Sequence, residues 1–389
     1  MNWLFAHDHK FFLQKEKVFS KQTFSYESWE RYLKHTDTLT VACRLFPLTE
    51  EEKRYSLSSG ANISFVDIPR PSSVTSFLPY NIALQTMRQA VKSVDAVVAR
   101  LPSQIGLLAV KAARELGKPY AIEIVGDPKE SYKWHGSAKA KLYAPIATRK
   151  LKKIAWQARF TLYITENELQ KLYPTKGIEI SCSNTELPDL TKKTAPKKRN
   201  EGNKLIFGMI GSLDSKYKGL DVAIKALSKM KNKLPPFEFR ILGSGDTTRW
   251  RTIAEENDLV EEIIFDGTRP SHEVFDWLSK IDIYLQPSRT EGQGRSVIEA
   301  MYMGCPVITS NVGGMKELTE PEMRFESEDY EQLARLITKL VYDNIFYQKQ
   351  SERNLIEAKK FTKIVLEKKR EYHYKKFKKW IEEQKECTI

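Results

Sequence analysis

Acidic residues are in short supply in this chain of 389 residues: 50 Asp and Glu stand against 63 Lys and Arg, a formal net charge of +13. The deficit calls for an anionic partner or an anionic surface. Nucleic acid is the poorer fit, because no helix-turn-helix, zinc-finger or RNP pattern accompanies the charge; an anionic membrane face is the better one. Cysteine is also scarce. Cys43, Cys182, Cys305 and Cys387 are scattered without C-x-x-C spacing, which argues against a disulfide framework or a structural zinc site and leaves reduced thiols, mostly in core positions. No apolar run approaches the roughly 20 residues of a membrane span, and the opening MNWLFAHDHKFF is too short and polar for a secretion signal. The expected location is the cytoplasm, with peripheral attachment to the inner face of the plasma membrane.

The length suffices for two domains with full cores, and 41% hydrophobic with 29% charged residues is ordinary for a folded protein. Short apolar runs recur at 3–6, 38–42, 63–66, 95–99, 120–125, 160–164 and 178–181, and helical patterns such as 80–94 and 103–116 separate them. Strand and helix taking turns predicts an α/β fold with a doubly wound parallel sheet. Glu123 falls mid-strand, where an unpaired carboxylate is costly, and Arg100 is its predicted partner. Composition then changes: TKKTAPKKRNEGN, 191–203, is polar and basic and reads as a linker. The alternation resumes at 205–210, 237–242 and 263–266. The predicted division is 1–190, linker 191–203, 204–362, and a basic, aromatic segment 363–389. In that last segment Tyr372, Tyr374, Phe377, Trp380 and Ile381 alternate with lysines, the pattern of a helix lying on a bilayer; burial of the same side chains against the first domain is the competing reading. A second basic segment is KAKLYAPIATRKLKK, 139–153.

The stretch 281–318, IDIYLQPSRTEGQGRSVIEAMYMGCPVITSNVGGMKEL, organises the second half. Apolar runs at 281–285 and 307–309 read as buried parallel strands. Between them Ser296 is the predicted N-cap of one helix, and Gly304 with Pro306 ends it. Glu291, Gly292, Gly294 and Arg295 therefore sit where a loop meets a helix start, the place where open α/β sheets bind ligands. Gly292 and Gly294 allow close backbone approach, and the first-turn N–H groups favour an anion such as a diphosphate. Glu291 and Glu299 are spaced to lie roughly 10 to 12 Å apart, a span suited to the two ends of a nucleotide sugar.

On Pro287, Ser288, Glu291, Gly292, Glu299, Ala300, Met301, Gly304, Pro306, Val307, Asn311 through Gly314 and Glu317, the chain resembles the retaining, family 4-type glycosyltransferases of the GT-B fold. The resemblance implies two Rossmann-like domains facing a cleft, with a last helix that crosses back to the first domain. It also assigns Glu291 to the transferred sugar and Glu299 to the ribose. Lys218 matches the family's phosphate-binding lysine, while Ser212 stands where that family has an arginine; Arg295 or the Ser212 hydroxyl would then assist. Gly211 and Gly243 shape the donor loops, and Thr268 and Arg269 border the nucleobase.

The implied chemistry is transfer of a sugar from a nucleoside diphosphate sugar to a hydroxyl of a lipid-linked or polysaccharide acceptor in cell-surface glycan synthesis. No cofactor is expected beyond that donor. No metal is expected either, since no Asp-x-Asp pair exists to hold one against a diphosphate. On the acceptor side, Gly126-Asp127-Pro128 followed by Tyr132, Trp134 and His135 reads as a sugar floor, with Asp127 and then His135 as the groups facing the reaction; an Asp-Pro turn is the plainer reading of Asp127. His7, Asp8 and His9 read as a polar loop after the first strand rather than a metal site. Two other classes compete, an epimerase or hydrolase of nucleotide sugars and a non-catalytic basic binding module.

Overall fold

The computed structural model describes residues 1–389 except 22–23, 50–54, 70–76, 135–137, 190–193, 200–203 and 387–389, and the side chains at 77–79, 138–140 and 271. The chain forms two compact units, Met1–Cys182 with Glu367–Ile389, and Ser183–Leu366.

In the first unit the strands are β1 (Asn2–Gln14), β2 (Lys17–Ser20), β3 (Thr38–Pro47), β4 (Ser56–Leu57), β5 (Ile63–Asp67), β6 (Ala96–Leu101), β7 (Tyr120–Ile124), β8 (Phe160–Tyr163) and β9 (Ile178–Ser181). The helices are α1 (Tyr26–Leu33), α2 (Phe77–Lys92), α3 (Gln104–Glu115), α4 (Pro128–Trp134), α5 (Ala138–Gln157) and α6 (Glu168–Leu172). The parallel strands run β5-β3-β1-β6-β7-β8-β9, the doubly wound order in which the first strand is central. Every residue of β6 is buried, as a strand covered on both faces requires. Leu4, Ala6, Val97 and Ala99 pack with α2, α3 and α5 on one face. Trp3, Phe5 and Val98 pack with α1 on the other.

The first strand is longer than the apolar run 3–6 indicates. After a register shift between Ala6 and Lys10 it pairs with β3 again, then turns through Lys15 and Glu16, both at positive φ, into antiparallel β2. His7, Asp8 and His9 therefore lie within a strand, at its irregularity, and not in a loop. Asp8 accepts the N–H groups of Gln104 and Ile105 at the start of α3 and pairs with Arg44. Among the described residues no cluster of metal-ligating side chains occurs.

Arg100 and Glu123 are register partners on β6 and β7. Arg100 Nε donates to Glu123 Oε2 at 2.7 Å, and the hydroxyls of Tyr32 and Tyr374 donate to Oε1. Tyr374 comes from the final helix, α14 (Lys363–Glu386). With Phe377 and Ile381 it is buried in the same core as Trp3 and Phe160, so these three side chains of α14 belong to the first unit's interior, while Tyr372 stays exposed.

The second unit has β10 (Leu205–Ile210), β11 (Phe237–Leu242), β12 (Ile263–Gly267), β13 (Ile283–Gln286), β14 (Val307–Ser310) and β15 (Arg324–Phe325). Its helices are α7 (Leu220–Met230), α8 (Thr248–Glu256), α9 (Ser271–Ser279), α10 (Arg295–Tyr302), α11 (Met315–Leu318), α12 (Tyr330–Tyr342) and α13 (Asn344–Ala358). The all-parallel order β12-β11-β10-β13-β14-β15 reverses direction between β10 and β13. The units divide at Cys182 and Ser183, ahead of the polar stretch 191–203. In that stretch 191–193 and 200–203 lie outside the described residues. Lys197 is held on the second unit, its N–H on Ser351 Oγ and its ammonium on the carbonyls of Leu278 and Ser279, because those carbonyls end α9 and a lysine there satisfies them.

Candidate active site

β10 and β13 pair only at Phe207 with Ile283 and Gly208 with Tyr284. Beyond that point side chains replace the ladder. The Tyr284 hydroxyl accepts the Ile210 N–H at 3.0 Å and donates to Gln286 Oε1 at 2.9 Å. Gln286 Oε1 also accepts from Ser296 Oγ, and Gln286 Nε2 donates to Ser288 Oγ at 2.9 Å. With Nε2 supplying a proton, Ser288 must direct its own outward, and it donates to Glu291 Oε1 at 3.1 Å. Tyr284, Gln286 and Ser288 are fully buried, so every group in the series needs the partner it has.

Lys218 reaches the same oxygen, with Nζ 2.5 Å from Glu291 Oε1. Burial by itself lowers the affinity of that ammonium for its proton, but the Glu291 carboxylate outweighs it and holds the lysine above its ordinary value. Lys218 ends a single 3₁₀ turn, Lys216–Lys218, and Arg289 fixes that turn. The Arg289 N–H donates to Tyr217 O and its guanidinium to Lys216 O, to both oxygens of Asp221 and to Glu328. Gly219 follows at φ +72, and a Cβ there would meet Pro287 O at 1.9 Å; only glycine lets α7 start this close to the β13 loop.

The helix after Glu291 begins two residues earlier than the Ser296 cap predicts. Gly294, left-handed at φ 89, is the N-cap, and the Ser296 hydroxyl is taken by Gln286. Serine was the favoured cap on side-chain grounds, whereas the tight reversal out of the Glu291 loop requires positive φ. Arg295 Nε donates to Glu299 Oε1 at 3.0 Å, one turn on. Burial pushes the Glu299 carboxyl above its usual range, with Arg295 opposing.

Of the residues singled out by sequence, Gly211, Ser212, Lys218, Glu291, Gly292, Gly294, Arg295 and Glu299 thus gather at the carboxyl edge of β10 and β13. The Lys218 stem lies against Gly211, 3.2 Å from where a Cβ would sit. Gly243 follows β11, its N–H on Gly267 O. Thr268 and Arg269 lie exposed at the same edge beyond β12, with Arg269 against Glu273. In the first unit Asp127 precedes α4 and gives Oδ1 to the Lys129 N–H and to the Tyr173 hydroxyl at 2.5 Å; the expected sugar-floor loop is this helix, capped by Asp127. Tyr132 packs edge-on against Tyr143 of α5. His135 lies outside the described residues. Ser288 entered the sequence reading only as a residue of the family pattern, with no role of its own; Gln286 and Arg289 were not singled out, and only their polar character at the end of a buried strand could have pointed to them.

Residues 191–360 match the family model described as Glycosyl transferases group 1. Over 363 residues, 92% of this chain and 90% of the relative, the sequence is 29% identical to protein CapJ of Staphylococcus aureus. Over 139 residues, 34% of each protein, it is 37% identical to the putative colanic acid biosynthesis glycosyltransferase WcaL of Salmonella typhimurium. The fold matches sucrose-phosphate synthase from Thermosynechococcus elongatus with a TM-score of 0.67 and 14% identity, over 96% of this chain and 98% of that one. The chain has the GT-B fold, and its second unit carries the match to the group 1 glycosyl transferases. HepE of Anabaena, solved in complex with UDP and glucose, is similar to this chain at a TM-score of 0.66 and 14% identity, over 94% of this chain and 97% of that one. The match to the family model contains every residue of the Lys218–Glu291–Glu299 constellation.

Proposed function

We propose that this chain is a glycosyltransferase that moves a sugar from a nucleoside diphosphate donor to a hydroxyl of a lipid-linked or polysaccharide acceptor, with retention at the anomeric carbon and without a metal ion, in capsule-type surface glycan assembly. The observation that carries the reading is the Lys218–Glu291 pair held where β10 and β13 part, beside the start of α10. Lys218 has three N–H donors and uses one on Glu291, so two remain for a diphosphate. Glu291 Oε2 takes a hydroxyl of the transferred sugar, and Glu299 takes the ribose. As the glycosidic bond breaks, charge gathers on the departing diphosphate oxygen, which accepts the acceptor's proton on the same face. The protein contributes placement and positive charge, through Lys218, the first-turn N–H groups of α10 and Arg295.

The names of the relatives support capsule or exopolysaccharide synthesis, and the UDP and glucose bound to HepE make UDP-glucose the first donor to try. The net charge of +13 supports an acceptor presented at an anionic membrane. Thermal unfolding with a panel of UDP, GDP and ADP sugars tests the reading. At least one donor raises the unfolding temperature, Lys218→Ala removes most of that protection, and EDTA leaves turnover unchanged. Absence of protection by every member of the panel overturns it.

A further inference from the structure

We infer that the outward face of α5 is the surface through which this chain docks on an anionic lipid bilayer, an inference that rests on the membrane-presented acceptor proposed above. α5 spans twenty residues with six lysines and arginines and no acidic residue. One side of it, including Leu151, Ile154 and Ala155, is buried in the first unit's core. The other presents Leu142, Ile146 and Trp156, which are 78%, 47% and 47% exposed. Arg149 and Lys153 fall between them, and 142, 146, 149, 153, 156 advance by steps of four and three, so all five lie on a single stripe of the helix.

The charge on this stripe and beside it is unneutralised. Lysines elsewhere find carboxylates, as Lys111 does Glu115 and Lys204 does Glu238. Among the described residues no acidic group pairs with Lys141, Arg149, Lys152 or Lys153. Cations free of partners attract phosphate headgroups, and leucine, isoleucine and tryptophan set among them enter the headgroup boundary, where the indole is at home. A nucleic acid would use the charge but would leave Leu142 and Ile146 in water. α14, the other basic segment, does not compete, since Tyr374, Phe377 and Ile381 are buried.

The test is co-sedimentation of the full chain with vesicles of phosphatidylcholine alone and of phosphatidylcholine mixed with phosphatidylglycerol. The expected result is binding to the anionic vesicles only, weakened by salt. The double variant Lys152→Glu, Lys153→Glu and the double variant Leu142→Ser, Ile146→Ser each lower that binding by about tenfold or more. In both, the unfolding temperature and its rise with UDP-glucose, or with whichever panel donor protects the parent, match the parent, which separates docking from the transferase site. If the parent binds anionic vesicles and both variants bind equally well, α5 is not the surface although the membrane reading stands. If the parent ignores every vesicle, the inference and the membrane reading both fall. Retention of a short RNA duplex without vesicle binding, lost in the charge variant, would reassign the face to nucleic acid and overturn the inference.

Discussion

Glu291 receives both Lys218 and Ser288 on one carboxylate oxygen, so in the proposed reaction the other is the one for the sugar. Ser288→Ala and Gln286→Leu should therefore slow turnover by about 10- to 100-fold, the cost of losing a hydrogen bond to a charged group, while binding of bare UDP stays near the parent's. Ser288→Thr, which keeps the hydroxyl, should restore most of the rate. Steady-state kinetics beside UDP calorimetry checks this, and equal losses in both measurements would mean that the series is merely structural. Glu299→Ala should weaken donor binding by about tenfold; unchanged binding would remove the ribose from its role. The placement of Glu291 and Glu299 around the start of one helix was legible because their spacing along a strand-loop-helix-strand unit survives folding. The hydrogen bonds that join Gln286 to Ser288 were not, since they depend on Tyr284 and Ser296 converging on Gln286. The turn that Asp-Pro announces was legible too, since Asp127 Oδ1 accepts the Lys129 N–H.

Elements were easier to read than their ends. Short apolar runs located β10 to the residue, and in β11 the buried Phe237, Phe239 and Ile241 alternate with the half-buried Glu238 and Arg240, the period-2 pattern of a strand. The extension of β1 into a hairpin was missed, because Lys15 and Glu16 make its turn without the glycine or asparagine that marks such turns. Gly219 is where element geometry bears most directly on the site. Gly219→Ala forces a side chain into positive φ and against Pro287 O, so the start of α7 must move away from the β13 loop and carry Lys218 with it. We expect a loss of about 1–3 kcal/mol in stability and loss of donor protection in the fraction that folds. Chemical denaturation and the donor panel measure the two effects, and a variant with parental values in both would show that this close approach is dispensable.

At the scale of the whole molecule, acid should act through buried groups of the first unit. Burial holds His373, whose ring nitrogens both lack partners, down to about 4 from an ordinary 6.5. Burial and then the Arg100 cation take His7 to about 3. Both histidines are protonated more readily in the unfolded chain, so stability is full above pH 6.5 and falls as pH drops toward 4, by at most about 3 kcal/mol for His373. Burial disfavours the Glu123 charge, but Arg100 and the Tyr374 and Tyr32 hydroxyls bring it to about 2 from 4.5, so its contribution disappears between those values. Calorimetry across this range should show His373→Phe flattening the upper part of the decline; an unchanged slope would rule out that histidine as its source. The overall order of strands was readable from alternation, but the partnership of Tyr374 with Glu123, 251 positions apart, was not. That partnership sets a timetable. Synthesis delivers β1 first, yet Tyr374, Phe377 and Ile381, which pack beside Trp3, emerge only after the entire second unit. The half of the protein begun earliest is completed last, and a nascent or shortened chain ending at Leu366 would leave Trp3, Phe160 and an underpaired Glu123 open to water and to chaperones.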